Sequence, residues 1–261
     1  MKYNIMTVLS DNYLVFGKLF INSLFENIDY SNINKIIIVD TGLSDDSKNY
    51  LLDFPKVELV ETDDNDTSSK IHDKGWEKKT YSKSTYLLNH IKNSSEFYPT
   101  ILFDSDVIFY RNFFDILNNQ EHQDSDVIAC ERNQIGRTPG HAATSTHIGC
   151  FICIKSEKGI PFVEYWINNL MESLNNGIPS GVLPKESPAL SKAIKDFSNN
   201  IKITNIDERI IANIETNITD GFDDYRVYHL KSDYMYLTVE SRVKQPRALP
   251  YFQKYLGNFN G

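Results

Sequence analysis

Apolar residues fall in short bursts along this chain, and the bursts follow two different periods. Ile5 to Leu9 is a brief apolar run, and after Tyr13 the residues Leu14, Phe16, Leu19, Phe20, Phe25 and Ile28 recur near helical spacing, which predicts a strand followed by a helix. Lys35 to Val39 is a β-branched run too apolar for a strand with one wet face. Ser44 ahead of Asp45 and Asp46 reads as the N-cap of a second helix reaching about Phe54, and Val57 to Val60 follows as a third strand. Glu61 to Lys79 is polar and aperiodic, whereas Tyr81 to Lys92 sets Leu87, Leu88 and Ile91 on one helical face, and Thr100 to Phe103 is another buried strand. Beyond it the pattern is less regular, with strands near Val127 and Phe151, a helix from about Gly159 to Leu174, and a further helix from Glu186 through Ala193. Strands alternating with helices predict an α/β fold with a mainly parallel mixed sheet flanked by helices, over one domain spanning 1–261. Ligands of such sheets bind at the carboxyl ends of the strands.

Composition narrows the partners. The chain has 261 residues, 41% of them hydrophobic, enough for a sizeable core. The 27 basic and 35 acidic residues leave a net charge of −8, which opposes wholesale binding to nucleic acid but permits a local cationic pocket. Cys130, Cys150 and Cys153 lie in apolar stretches and read as reduced core thiols. No window reaches the run of about 18 apolar residues that a membrane span needs, and Met1 to Ser10 reads as a strand. The expected location is the cytoplasm, free or peripheral at the inner face of a membrane. The late aromatics Tyr234, Tyr236, Tyr251, Phe252, Tyr255 and Phe259 are expected to pack ordinarily, without stable membrane insertion.

The candidate chemistry starts at Ile101-Leu102-Phe103-Asp104-Ser105-Asp106, two carboxylates one residue apart at the end of a buried strand. Charges there are costly without a partner, and a hard divalent cation is a fitting one, because it takes oxygen ligands and can bridge the phosphates of a nucleotide. A strand terminus whose acids cap the next turn is the plainer alternative. A hydrophobic strand ending in D-x-D also opens the site of haloacid-dehalogenase-like phosphatases, where the first Asp is a nucleophile. Here, however, the motif follows three earlier strands, and Asp223-Asp224 is the one late pair of adjacent aspartates.

With these segments in order, the chain resembles the GT-A nucleotide-diphospho-sugar transferases, particularly the retaining galactosyltransferase-like family 8. Ser10-Asp11-Asn12-Tyr13 is similar to the family's D-x-N-Y segment, and the resemblance makes Asp11 and Asn12 contacts to a uracil base; a helix N-cap would also explain Asp11. Lys83 stands where the family commonly has a Lys or Arg that reaches the donor phosphates. His147-Ile148-Gly149 and the downstream Phe162 to Trp166 are similar to the N-S-G strand and its helix, with His147 in place of the usual Asn, so that a satisfied core histidine is the other reading. Glu186-Ser187-Pro188-Ala189-Leu190 resembles D-Q-P-A-L, which implies catalytic positions for Glu186 and Ser187 beneath the donor sugar. Val227 to Ser232 resembles the late segment in which a His completes the metal site and a Lys touches a phosphate, here His229 and Lys231.

The resemblance thus implies a metal site of Asp104, Asp106 and His229, with Asp104 also near the ribose. It further implies a UDP-sugar donor and a saccharide or glycolipid acceptor of polysaccharide biosynthesis. An imidazole beside two carboxylates shifts the expected ion from Mg2+ toward Mn2+. Residues 1–110 are expected to form the nucleotide-binding half, and 111–261 the acceptor-binding half and C-terminal tail, with the acceptor arriving across Glu131 to Thr146. The alternatives left open are the phosphatase and a nucleotide-sugar binding protein without turnover.

Overall fold

Residues 1–63, 74–132, 145–175, 186–212, 224–230 and 249–256 are described by the structure, a computed structural model. The first half alternates as its hydrophobic pattern predicts: β1 (Tyr3–Leu9), a 3-10 turn (Asp11–Tyr13), α1 (Leu14–Asn27), β2 (Ile33–Asp40), α2 (Asp45–Leu52), β3 (Val57–Glu61), α3 (Lys74–Asn93) and β4 (Thr100–Phe103). There follow β5 (Val107–Phe109), α4 (Phe114–Leu117), β6 (Val127–Glu131), β7 (His147–Ile154), α5 (Ile160–Asn175), α6 (Glu186–Phe197), β8 (Ile203–Asp207), α7 (Glu208–Ile211), β9 (Val227–His229) and α8 (Leu249–Leu256).

Seven strands form one sheet in the order β3-β2-β1-β4-β7-β6-β8. β3, β2, β1 and β4 run parallel, β7 is antiparallel to both of its neighbours, and β8 is parallel to β6. Both halves of the chain therefore build the same sheet. The strand period of two divides the core: Ile36, Ile38, Ile101 and Phe103 pack on the α1 side, while Ile37, Val39 and Leu102 pack with Phe162, Trp166 and Leu190 on the other. On α3, Leu87 and Ile91 share that second cluster, and Lys83, one turn before Leu87, is carried inward by the same helical stripe. A third cluster joins Phe16 and Leu19 of α1 to Ile108, Tyr228 and Phe252, so that α8 closes over α1 and the β5–β9 pair.

Several details depart from the sequence expectation. α3 begins at Lys74 rather than Tyr81, because polar helix formers such as Lys and Glu extend a helix without an apolar stripe to announce it. α6 runs on to Phe197. β8 and α7 were not anticipated: half-buried, with Thr204, Asn205 and Asp207 among its five residues, β8 carries only a weak apolar signal. The cysteines are free and buried, as expected of core thiols, and burial pushes the Cys153 thiol up to about 12. No helix among the described residues is long and apolar enough to cross a membrane.

Candidate active site

The carboxyl ends of β1 and β4, with the far end of the 107–109 strand pair, bring the site together. β4 ends at Phe103, and the next residue, Asp104, is held by its backbone N–H donating 3.0 Å to the Cys150 carbonyl of β7. β5 pairs antiparallel with β9, setting Val107 opposite His229, and Leu230 N–H donates 2.8 Å to the Asp106 carbonyl. That pairing fixes the imidazole against the acids. His229 Nε2 stands 3.3 Å from Asp106 Oδ1 and 3.6 Å from Asp104 Oδ2. One ligand atom from each of the three residues lies within 4.8 Å of the others. Atoms bonded to one ion at about 2.0–2.6 Å are at most about 5 Å apart, so this donor set fits a divalent cation.

The electrostatics agree with a site short of a cation. Burial raises the Asp106 carboxyl, but His229 beside it, a backbone hydrogen bond and Lys83 together hold it below its ordinary value. Burial would likewise lower His229, yet the Asp106 charge raises it well above the usual imidazole range.

A second group of charges adjoins the first. Lys83 Nζ donates to Asp104 Oδ1, lies 2.7 Å from Glu186 Oε2, and donates 2.9 Å to the Gly149 carbonyl. Glu186 opens α6, where an acid suits the helix N-terminus, and the helix buries Ala189, Leu190, Ala193 and Ile194. Burial pushes the Glu186 carboxyl up to about 7, with Lys83 pulling it down and Asp104 adding to the rise. Among the described residues its Oε1 is buried with no hydrogen-bond partner.

Gly149 makes this packing possible. A Cβ there would sit 2.5 Å from Glu186 Oε2 and 2.6 Å from its Cδ. The ladder slips at the same place: Ala129 pairs with Ile152 while Cys130 pairs with Ile148, leaving a bulge over residues 149–151. Bulges beside sites re-aim the backbone, and this one delivers the Gly149 carbonyl to Lys83 and the Cys150 carbonyl to Asp104. The Gly149 role was not read from the sequence, although a glycine inside a β-branched strand is the signal for such close approach.

The other candidates are placed as follows. Asp11 Oδ1 accepts from the Ser44 N–H at 3.0 Å and the Ser44 hydroxyl at 3.2 Å, tying the loop after β1 to the cap of α2, while Asn12 is exposed beside it. Asp40, missed in the sequence, shapes that corner: Oδ1 accepts from Gly42 N–H at 2.8 Å and Leu43 N–H at 2.7 Å, and Oδ2 meets Lys48 at 2.9 Å. Gly42, at φ 112°, then turns its carbonyl to Asp11 N–H. Ser187 accepts from Arg132 at 3.2 Å. His147 has both ring nitrogens occupied, Nδ1 by Thr146 at 2.9 Å and Nε2 by Asn205 at 3.2 Å, which is the satisfied core histidine. Lys231 and most of the loop expected to receive the acceptor lie outside the described residues.

Comparison with known proteins assigns the family. Residues 42–243 match the nucleotide-diphospho-sugar transferase family, and the chain belongs to it. It is a glycosyltransferase of GT-A fold, and the phosphatase alternative is set aside. The galactosyltransferase LgtC, solved with donor and acceptor sugar analogues, superposes with a TM-score of 0.59 at 11% identity, over 87% of this chain and 86% of that one. The bifunctional glycosyltransferase WbbM superposes at 0.59 and 13% identity, over 98% of this chain and 52% of that one. For GlyE of Streptococcus pneumoniae TIGR4 the TM-score is 0.52 at 14% identity, over 80% and 46%. No curated protein matches by sequence.

Proposed function

We propose that this chain transfers a hexose from a UDP-sugar to a hydroxyl of a glycan or glycolipid, with Mn2+ or Mg2+ held by Asp104, Asp106 and His229. The observation that carries the reading is the convergence of those three ligand atoms within 4.8 Å. A divalent ion there offsets the charge that grows on a departing diphosphate. Asp106 and His229 are the direct ligands, and Asp104 binds the ion or its water while reaching toward the ribose. Glu186 lies beside the sugar: its buried Oε1, unpartnered among the described residues, is an acceptor for a sugar hydroxyl, since a buried carboxylate oxygen without a donor is costly. Ser187, one residue on, faces the same end of α6. Asp11 and Asn12 edge the base on the loop after β1, and the phosphate contact is assigned to Lys231. The catalytic domain spans 1–261, with the nucleotide on 1–110 and the acceptor on 111–261, and the continuous sheet supports reading both halves as one unit.

The test is a thermal-shift titration with UDP, GDP, CDP and ADP, each with and without Mn2+. A ligand at about 100 times its Kd adds about 2.7 kcal/mol to the folded state, a readable rise in Tm. A manganese-dependent rise with UDP alone, abolished in Asp106→Ala, is expected. A rise with another base would replace the donor assignment, and a rise that survives Asp106→Ala would remove the metal assignment.

A further inference from the structure

An ammonium group has three N–H donors, and Lys83 has three acceptors in place: Asp104 Oδ1, Glu186 Oε2 and the Gly149 carbonyl. The side chain is 7% exposed and enters from α3 between β4 and α6. Turning it toward a diphosphate would strand a buried carbonyl and leave two largely buried carboxylates without their counter-charge, a change that is strongly destabilising. Lys83 also decides which carboxylate oxygens stay available. It occupies Oδ1 of Asp104, leaving Oδ2 facing His229, and Oε2 of Glu186, leaving Oε1 open.

We propose that Lys83 is a positioning residue: it locks the Asp104 and Glu186 carboxylates in one arrangement, the first toward the metal and the second toward the donor sugar, and makes no contact with the diphosphate. The inference rests on the donor reading above. Its substance is that the metal half and the sugar half of the site are mechanically joined through one buried ammonium seated on the β7 bulge. Three side chains, contributed by α3, the β4 end and α6, meet there.

Calorimetric titration at saturating Mn2+ separates this role from a phosphate clamp, using UDP and UDP-galactose against the wild type, Lys83→Met, Glu186→Gln and the double variant. Lys83→Met should keep its affinity for bare UDP within about 3-fold, while its preference for UDP-galactose over UDP falls by about 10-fold, the scale of a lost supporting contact. Glu186→Gln should lose a similar amount, and the double variant no more than either, because both changes remove one arrangement. If Lys83→Met does not fold, the double variant carries the comparison against Glu186→Gln, since it removes an acid together with the ammonium. A drop of about 10-fold or more in bare UDP affinity that adds to the Glu186→Gln loss would mark a phosphate clamp and overturn the proposal. A wild type that binds none of the four nucleoside diphosphates would instead overturn the donor reading and this assignment with it.

Discussion

Two lysines of this protein are buried to nearly the same degree, Lys83 at 6% exposure and Lys155 at 7%. Lys155, just past β7, donates to three backbone carbonyls, those of Leu117 at 3.0 Å, His122 at 2.6 Å and Gln123 at 3.3 Å. Lys83 has one carbonyl and two carboxylates. Dipoles satisfy hydrogen bonds without supplying charge, so burial lowers Lys155 below its ordinary pKa, whereas Asp104 and Glu186 outweigh burial at Lys83 and raise it. The first lysine joins a loop to a strand and asks for nothing more. The second sits in a cluster of ionisable groups, Asp104, Asp106, Glu186 and His229. Burial of a charge therefore does not mark a functional site; the net charge of its neighbours does.

The contrast breaks if disturbing the two places has similar consequences. The largest effect is expected from Gly149→Ala, whose Cβ would displace the Glu186 carboxylate: turnover of the donor should fall by about 100-fold, as for misplacement of a reacting group by about 1 Å. Steady-state kinetics with a thermal melt in parallel checks it, and a variant that loses stability while keeping turnover would remove Glu186 from the chemistry. Next, Lys155→Met should lower unfolding stability by about 1–3 kcal/mol through unsatisfied carbonyls, yet leave UDP affinity unchanged at a temperature where the variant is folded. Weakened UDP binding there would erase the distinction between the lysines.

The smallest effect is a pH dependence. Burial lowers His90, His122 and His147 below the ordinary 6.5, so the unfolded chain takes up protons first as the pH falls. Their stabilising contribution is complete above that value and lost below it. His229 is raised instead, so in the metal-free protein its contribution is complete below 6.5 and is lost as the pH rises through its raised value. With Mn2+ the sign at His229 reverses, because the ion requires its deprotonated ring. The manganese-induced rise in Tm should therefore shrink as the pH drops, which melts across a pH series with and without Mn2+ would show; an increment independent of pH would remove His229 from the ligands.

The two kinds of site residue were legible to different degrees. Asp104 and Asp106 stood out because two acids ending a run such as Ile101-Leu102-Phe103 conflict with their surroundings, and that conflict is visible in one dimension. His229 lies more than a hundred positions downstream, and only the resemblance to a family pointed to it; what brings it to Asp106 is the antiparallel pairing of β5 with β9. Asp40 and Gly149 were passed over because an acid ending a strand and a glycine within one are common, and their roles depend on Gly42, Asp11 and Glu186, contributed by other segments.

The sequence by itself determined the alternation of strands and helices through β4, the reduced core cysteines and the acidic pair, because hydrophobic period and local charge act over a few residues. The tertiary structure decided the strand order, the reversal at β7, the bulge at 149–151 and the joining of Lys83 to both Asp104 and Glu186. Those depend on which distant backbone groups find each other when the sheet closes. A buried ammonium binds whatever acceptors the fold brings within about 3 Å, and no spacing along the chain encodes that choice.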